Sequence, residues 1–494
     1  MTADVVIAGG GPNGLMLASE LALAGVRPIV LERLPERSQA PKANGIIGQV
    51  VRLLDQRGLY RRFLGVAEPP RPIPMFLFGA LPLDLAEIEG NTMYGMGIKQ
   101  ARLEELLEDR ARELGVEIWR GRELTSFTQD EAGVTLELDG GEQLRTRYLV
   151  GCDGAHSTVR KQAGIGFPGV NALSVISRGG HVVLPEATIR MDRAELELPG
   201  VGTIALYGWY RTERGAYALL PVSPEVLMIS CIEWDGDDPG EDVEMTLGEL
   251  RESLSRVLGV DISLAAPPGP GPHLLRRLSG RNTRMADRFR AGRVLLAGDA
   301  AHVHSAVGAP GLNLGLQEAA NLGWKLAATV RGTAPPGLLD SYDRERRPAA
   351  ERVTMHSKAQ LALMSPGPEV TALREVFGEL LQDKSARGRI SALMSGADVT
   401  CPMDAPAHPL TGHFVPELEL EPVPLPTLMR EARPLLLDLA GSVQKDVWGG
   451  RIDVVTATCA APPADALLIR PDGYVAWAGT PDDSLDEAVR TWFG

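Results

Sequence analysis

Three glycines close to the N-terminus have the spacing of a phosphate-binding turn. Gly9, Gly11 and Gly14 match GxGxxG, with Pro12 and Asn13 inside the turn. In such a turn the first glycine permits a tight bend, the second lets the backbone approach a pyrophosphate, and the third lets a helix pack on a strand. The free N–H groups and the dipole at the start of that helix would bind the phosphates. These residues predict a dinucleotide site.

The elements around the glycines complete a strand–helix–strand unit. Residues 4–8 predict a short buried strand, 15–24 a helix that Gly25 ends, and 27–31 a second strand. Glu32 follows the second strand about 20 residues after the glycines, where an acid binds the ribose hydroxyls of a dinucleotide. Because its carboxylate would repel a 2′-phosphate, the resident nucleotide is predicted to be FAD or NAD and not NADP.

Two further motifs follow predicted strands. Residues 148–152 lead into a DG sequence that begins at Asp153, and residues 293–297 lead into a GD sequence that ends at Asp299. A glycine-rich run, 308–315, then enters a strongly helical segment. The three motifs in this order and at these separations resemble the class A flavoprotein monooxygenases. The likeness extends along almost the whole chain and looks closest to the bacterial hydroxylases that tailor aromatic polyketides and antibiotics.

The resemblance implies both a fold and a reaction. The fold would be α/β, with a Rossmann-like FAD-binding domain, an inserted antiparallel β-sheet domain for the substrate and a thioredoxin-like C-terminal domain. FAD would be bound, NADPH would reduce it as a transient co-substrate, and O2 would supply one oxygen atom. A bulky aromatic substrate would receive that atom from a flavin C4a-hydroperoxide. Since the sequence contains no second GxGxxG unit, NADPH would bind over the flavin domain.

The resemblance also assigns roles to individual residues. Asp299 would accept a hydrogen bond from the ribityl chain of FAD. Gly311, Leu312 and Asn313 would stand at a helix N-terminus, where N–H groups stabilise negative charge on the reduced flavin. Further FAD contacts carried over from the family are Arg33, Lys42, Gln100 and Leu124. Residues carried over as serving both FAD and NADPH are Asp153 and Arg160.

The sequence departs from its relatives near the predicted flavin. Lys42 replaces a common arginine and offers a point charge in place of a bidentate fork. Ala306 stands where relatives often have proline, and Pro310 where they usually have a polar residue. These changes leave two alternatives open: a Baeyer–Villiger or dehydrogenating flavoenzyme on the same fold, and a non-catalytic flavoprotein that sequesters an aromatic ligand. No general base is evident, and His302 and His304 are weak candidates.

The middle of the chain predicts a substrate domain of mostly antiparallel strands. Its predicted elements are strands at 177–184, 203–210, 215–221 and 226–234 and a helix at 246–258. Large apolar side chains could line an aromatic-accepting pocket there, with help from an earlier segment. The candidates are Phe76, Phe78, Tyr207, Trp209, Tyr217, Met228 and Trp234.

The pattern of elements divides the chain into three domains. Residues 1–174 and 273–395 form a discontinuous FAD-binding domain that includes predicted helices at 338–364 and 369–394. Residues 175–272, with about 70–99, form the substrate domain. Residues 396–494 resemble a thioredoxin-like domain without the CxxC of redox thioredoxins, so its predicted role is structural, including support of a homodimer.

Composition excludes several classes of function. The chain has 494 residues, of which 44% are hydrophobic and 23% charged, as in an ordinary multi-domain globular protein. Its formal net charge of -14 disfavours nucleic acid and anionic membranes as partners. Four cysteines without CxxC spacing predict neither disulfides nor a metal site. Without a basic leader or a membrane-length apolar run, the protein is predicted to be cytoplasmic.

Overall fold

The structure is a computed structural model that describes residues 2–38, 42–172, 174–234, 236, 240, 243–278, 281–305, 307–308, 310–403, 408–443 and 448–494. The strands of the first third are β1 (Thr2–Ala8), β2 (Ile29–Glu32), β3 (Gly45–Ile47), β4 (Met75–Phe78), β5 (Leu81–Asp84), β6 (Gly95–Gly97), β7 (Glu117–Arg120), β8 (Leu124–Gln129), β9 (Val134–Leu138) and β10 (Gln143–Gly151). The helices of this part are α1 (Pro12–Leu23), α2 (Gln49–Gln56), α3 (Leu59–Leu64), α4 (Gln100–Glu113) and α5 (Thr158–Gln162).

The middle third contains mainly strands. They are β11 (Gly169–Ala172), β12 (Ile176–Val182), β13 (Thr188–Arg190), β14 (Glu195–Leu198), β15 (Gly202–Ala205), β16 (Gly208–Arg211), β17 (Ala216–Pro221), β18 (Leu227–Glu233), β19 (Leu275–Leu278), β20 (Arg281–Met285), β21 (Arg290–Ala291), β22 (Val294–Leu296) and β23 (His302–Val303). Helix α6 (Leu247–Leu258) begins after Thr246, whose side chain accepts a hydrogen bond from the backbone N–H of Glu249. This cap satisfies one of the otherwise unpaired N–H groups of the first turn.

The last third is richer in helices. They are α7 (Pro310–Arg331), α8 (Ser341–Met364), α9 (Pro368–Leu380), α10 (Lys384–Ser395), α11 (Leu425–Leu428) and α12 (Asp483–Phe493). The strands are β24 (Leu420–Glu421), β25 (Leu435–Asp438), β26 (Asp453–Thr456), β27 (Thr458–Cys459), β28 (Ala466–Ile469) and β29 (Val475–Gly479). Within the described part of the chain, no helix has an apolar run that could span a membrane.

A mostly parallel sheet positions the three motifs. Strands β22, β10, β1, β2 and β7 are parallel neighbours in this order, while β21 and β9 add antiparallel edges. Because parallel strands present their carboxyl ends at one edge, the GxGxxG, DG and GD motifs meet there. The fold is therefore mixed α/β, as the sequence predicts.

Helices α1 and α7 lie in contact beside this sheet because glycine allows it. A Cβ at Gly323 of α7 would lie 2.5 Å from the Cβ of Glu20 on α1, well inside van der Waals contact. Glu20 in turn forms a buried bidentate ion pair with Arg57, just after α2.

A second sheet is entirely antiparallel, with the order β16-β17-β18-β12-β19. Helix α6 and the small sheet of β13, β14 and β15 cover one of its faces with a buried apolar cluster. The predicted single strand 203–210 is wrong, because β15 and β16 belong to different sheets. The chain changes sheet at Tyr207, which has a φ of +67° and is 58% exposed.

The helical prediction for 369–394 also requires correction. The chain forms two helices there, α9 and α10, separated by a turn in which the Asp383 side chain accepts from the N–H groups of Ser385 and Ala386. Such a cap starts a new helix and ends the previous one. The turn lets both helices pack on the β4–β5 hairpin through a separate apolar cluster.

Candidate flavin and substrate site

In the glycine turn after β1, one of the three motif glycines, Gly11, faces empty space, whereas the other two face backbone atoms. A Cβ at Gly9 would lie 2.3 Å from the carbonyl oxygen of Cys152, and one at Gly14 would lie 2.0 Å from that of Gly9. At Gly11 no heavy atom comes within 4 Å of an added Cβ. Gly11 also lacks a side-chain cap at the start of α1, so N–H groups of the first turn face this space. The turn therefore fits a pyrophosphate at Gly11.

Glu32 ends β2 beside the same turn. Its Oε2 accepts a 2.8 Å hydrogen bond from the N–H of Gly10, and its Oε1 accepts a 2.9 Å bond from the N–H of Leu34. These bonds orient the carboxylate toward the turn. The ribose position predicted for Glu32 is consistent with this placement.

Asn13 of the GxGxxG turn packs against the GD motif and helix α7 through its side chain. A Cβ at Gly298 of the GD motif would lie 2.0 Å from its Nδ2, and one at Gly315 of α7 would lie 2.4 Å away. The side chain of Asn13 thus occupies a space that exists because both positions are glycine. Its Oδ1 is buried and has no hydrogen-bond partner among the described residues, so it is available to a hydroxyl donor of the cofactor. Sequence reasoning missed this role of the side chain.

Asp299 lies in a short 3₁₀ turn, Gly298–Ala300, at the end of β22. Its carboxylate is exposed and caps no helix among the described residues. The protein that surrounds this groove raises the pKa of Asp299 by reducing hydration of its charge, while His302 and Lys42 act in the opposite direction. An accessible acceptor in a concave wall suits the hydroxyls of a ribityl chain.

The DG motif is held by hydrogen bonds to its own backbone and to the GD motif. The guanidinium of Arg160 is 4% exposed, donates to the carbonyls of Ala300 and Ala155 at 2.9 and 3.0 Å, and stacks 3.7 Å from the ring centre of Phe167. Asp153 accepts from the N–H of Val159. In this geometry Arg160 positions the GD motif, and its predicted contact with NADPH stays a prediction.

The flavin loop enters α7 close to β3. Asn313 accepts a 2.9 Å hydrogen bond from the N–H of Ile47 through its Oδ1. A Cβ at Gly311 would lie 3.2 Å from the Cε1 of His304. Pro310 is the first residue of α7, a position that suits proline because its missing N–H would have no helical partner. The other departure, Ala306, lies outside the described residues.

The two histidines weighed as bases have other environments. His302 is 0% exposed, and its Nε2 lies 2.8 Å from Oε1 of Glu318. Burial lowers the pKa of His302, but the charge of Glu318, its hydrogen bond and the charge of Asp299 together raise it by more. His302 has no exposed surface through which it could contact a substrate, and its role as a base stays a prediction. Burial lowers the pKa of His304 to about 4 and keeps it neutral.

Glu318 is the functional residue that sequence reasoning missed. Besides pairing with His302, its Oε2 accepts a 2.8 Å hydrogen bond from the N–H of Gly298, the glycine of the GD motif. Glu318 therefore fixes the turn that presents Asp299. Glu318 is an acid about two turns into the predicted helix that follows the flavin loop. That position was the signal in the sequence that could have identified it.

The remaining predicted FAD contacts differ in their environments. Gln100 begins α4, where its Oε1 accepts from the N–H of Ala43 and its Nε2 donates to Glu104 at 2.7 Å. Arg33 and Lys42 are exposed on either side of residues 39–41. Leu124 is buried at the start of β8. Their roles toward FAD remain predictions.

The five-stranded sheet turns its other face to the flavin loop. Ala216 and Ile232 form a buried cluster with Val307 and Met364, against which Trp209 and Trp234 pack. Cross-strand pairing puts Met228 on the same face, because it lies two residues before Ser230 and four before Ile232. Trp209, Met228 and Trp234 therefore keep their place as pocket candidates.

Four other pocket candidates lie elsewhere. Tyr217 packs on the opposite face of the sheet, stacked with Tyr210 at a centroid distance of 5.3 Å, away from Trp209 and the flavin loop. Tyr207 is largely exposed at the change of sheet. Phe78 stacks on Phe377 of α9 in the cluster that also includes Phe76. Side chains alternate between the two faces along each strand. The sequence pattern therefore groups residues by face, but it does not reveal which face meets the flavin loop.

Family models match most of the chain. A family described as FAD binding domain matches residues 2–357, and one described as aromatic-ring hydroxylase, C-terminal, matches residues 408–494.

Curated relatives match over nearly their whole length. A 12-dehydrotetracycline 5-monooxygenase/anhydrotetracycline 6-monooxygenase of Streptomyces rimosus is 42% identical, covering 100% of this chain and 99% of the relative. A rifampicin monooxygenase of Streptomyces venezuelae is 37% identical over 99% and 98%. A dialkyldecalin synthase of Streptomyces rugosporus is 36% identical over 100% and 99%.

A solved structure agrees with these matches. The OxyS anhydrotetracycline hydroxylase from Streptomyces rimosus superposes with a TM-score of 0.86 at 40% identity, covering 100% of this chain and 99% of that one. These matches indicate FAD as the bound nucleotide. The open glycine turn and the accessible Asp299 are consistent with FAD. The chain belongs to the family of FAD-binding aromatic monooxygenases, with FAD as its cofactor.

Proposed function

We propose that this protein hydroxylates a bulky aromatic substrate of polyketide or antibiotic type, with NADPH as the reductant and O2 as the oxidant. The observation that carries the proposal is the cluster in which Ala216 and Ile232 of the antiparallel sheet meet Val307 of the flavin loop, flanked by Trp209 and Trp234. Apolar and aromatic walls beside a flavin suit a flat ring system. Two relatives carry the names of antibiotics or their precursors.

The chain's own residues would bind, orient and shield. FAD supplies the redox chemistry when bound. Gly11 and the start of α1 would hold its pyrophosphate, Glu32 its ribose and Asp299 its ribityl hydroxyls. The N-terminus of α7 would stabilise negative charge on the pyrimidine side of the flavin. The antiparallel sheet would hold the aromatic ring and exclude water.

The site would work without a strong protein base. His302 is buried against Glu318, and the low pKa of His304 makes it a weak proton acceptor at neutral pH. A phenolic substrate is already activated toward electrophilic oxygen, so base catalysis is not a requirement. This supports hydroxylation of an electron-rich ring carbon.

We propose the same three domains that the sequence suggests: 1–174 with 273–395, 175–272 with about 70–99, and 396–494. The last contains the sheet β26-β25-β28-β29 and α12, an arrangement compatible with a thioredoxin-like domain. Its Cys401 and Cys459 are free. A structural role, including support of a homodimer, stays the prediction for this domain.

The test is NADPH oxidation by the FAD-loaded protein in air, with and without a panel of polycyclic phenols and quinones. Hydrogen peroxide, product mass and incorporation of isotopically labelled O2 are recorded together. We expect one compound to stimulate oxidation and to gain the mass of one oxygen atom derived from O2.

Other outcomes separate the alternatives. Oxygen inserted beside a ketone would establish Baeyer–Villiger chemistry, and an oxidised product without labelled oxygen would establish dehydrogenation. A rearranged product of unchanged mass, formed without NADPH, would match the relative named as a synthase. Tight binding with no stimulated NADPH oxidation would show a sequestering protein.

A further inference from the structure

The edge of the substrate sheet carries a cation without a counter-charge. Arg276 lies on β19, the edge strand next to β12. Among the described residues, no hydrogen bond or ion pair involves its guanidinium, which is exposed to solvent. Most other arginines of this sheet are used in the fold, so Arg276 requires a separate explanation.

Cross-strand pairing determines the direction of Arg276. It lies opposite Gly179, which lies opposite Ser230, then Ala218 and finally Trp209. Residues directly opposite each other in an antiparallel sheet share a face. Arg276 is therefore on the face of Trp209, which packs toward the flavin loop.

The neighbouring arginines show the contrast. Arg178 and Arg277 project from the other face, where Arg178 pairs with Glu233 and both pair with Glu249 of α6. Those carboxylates neutralise the cations of the covered face. The face toward the flavin has no such acid beside Arg276 among the described residues.

Other basic groups lie near the same edge. His181, on the same face as Arg276, is in edge-to-face contact with His273, at 6.4 Å between ring centres. Burial, His273 and Lys99 all lower the pKa of His181, which places the charge of Lys99 within electrostatic range. Lys99 directly precedes Gln100, a predicted FAD contact. Burial likewise lowers the pKa of Arg276, as in a concave surface.

We propose that Arg276 binds an anionic group of the substrate: a carboxylate, an ionised phenol or the enolate of a 1,3-diketone. An acidic protein repels such a molecule at long range, whereas a local cation without a neighbouring acid attracts and orients it. A guanidinium binds planar oxyanions in two-point geometry. The inference rests on the proposed function, and it narrows the substrate to aromatic anions.

Binding to the oxidised holoenzyme tests the inference without turnover. The probes are anthraquinone-2-carboxylate and anthraquinone-2-carboxamide, which share one ring system and differ in charge. Flavin absorbance or fluorescence reports each Kd. We expect Arg276→Gln to raise the Kd of the carboxylate about 10- to 30-fold and to leave that of the carboxamide within about twofold. Arg276→Lys should retain part of the preference.

Arg193→Gln is the matched control, because Arg193 is an exposed arginine in the turn between β13 and β14, on the covered side of the sheet. It should leave both Kd values unchanged. The inference is overturned if Arg276→Gln changes neither probe, as for a solvated edge residue. It is also overturned if both probes weaken equally or if the wild type does not prefer the carboxylate. Because binding precedes chemistry, failure of oxygen transfer alone would contradict the proposed function and leave this result standing.

Discussion

Gly11 faces open space, whereas Gly9 and Gly14 face backbone atoms, and this difference separates cofactor binding from folding. Gly11→Val should change the free energy of unfolding of the FAD-free protein by less than about 1 kcal/mol, because nothing lies within 4 Å of its Cβ. The side chain would occupy the pyrophosphate position and weaken FAD binding at least tenfold, about 1.4 kcal/mol or more. Fluorescence titration with FAD and urea unfolding measure the two effects.

Gly378→Val is the control, since Gly378 also has nothing within 4 Å and lies on α9, away from the turn. It should preserve FAD affinity. Wild-type FAD affinity in Gly11→Val would mean that the pyrophosphate does not lie at this glycine.

The glycines also show which features of single residues can be predicted from the sequence. Their spacing predicts the turn, because a tight bend and close backbone approach depend on residues a few positions apart. The spacing does not predict Asn13 between Gly298 and Gly315, or Glu318 between Gly298 and His302. Those contacts join residues far apart along the chain, and packing alone brings them together.

At the scale of elements, Arg374 connects α9 to the β4–β5 hairpin and to the end of α8. Its guanidinium donates to the carbonyls of Gly79, Ala80 and Leu363. Arg374→Met should cost about 2–3 kcal/mol of unfolding free energy, because three buried or half-buried carbonyls lose a charged donor. Urea unfolding of the holoenzyme measures the loss.

Arg347→Met supplies the comparison on α8. Arg347 pairs with Asp343 and Glu351 one turn away in each direction, and all three side chains are accessible. Exposed pairs of this kind contribute less than about 1 kcal/mol. Equal losses in the two variants would show that the hairpin does not depend on Arg374.

At the scale of the whole molecule, a buried charge cluster joins the C-terminal segment to the long helices. Arg470 pairs with Glu345 of α8 and with Asp472, and Lys325 of α7 lies 2.8 Å from Glu345. Asn321 donates to both carboxylates. Burial raises the pKa of Glu345, but Arg470 and Lys325 lower it by more. All these groups are nearly inaccessible, so the cluster depends on complete pairing.

Glu345→Gln should destabilise the protein by about 3–5 kcal/mol, because it leaves two buried cations with one carboxylate. Thermal unfolding followed by tryptophan fluorescence and by far-UV circular dichroism should show one shared transition in the wild type. The transition of the variant should lie at a lower temperature. Trp324 and Trp492 lie beside Arg470 and report on this contact.

Glu351→Gln, on the exposed side of the same helix, should cost less than about 1 kcal/mol. If Glu345→Gln were as mild, the two parts of the chain would be held by their apolar contacts alone, chiefly those around Trp324 and Trp477.

The sequence by itself determined the family and its cofactor FAD, through the three motifs and their order. It also determined the positions of most helices and strands, because turns, caps and strand periodicity depend on neighbouring residues. Only the tertiary structure decided which face of the antiparallel sheet meets the loop around Val307, and so placed Trp209 toward that loop and Tyr217 away from it. It also divided 203–210 between two sheets at Tyr207 and 369–394 between two helices. The physical reason is that alternation assigns residues to two faces without saying what covers each face. Packing between distant segments makes that choice.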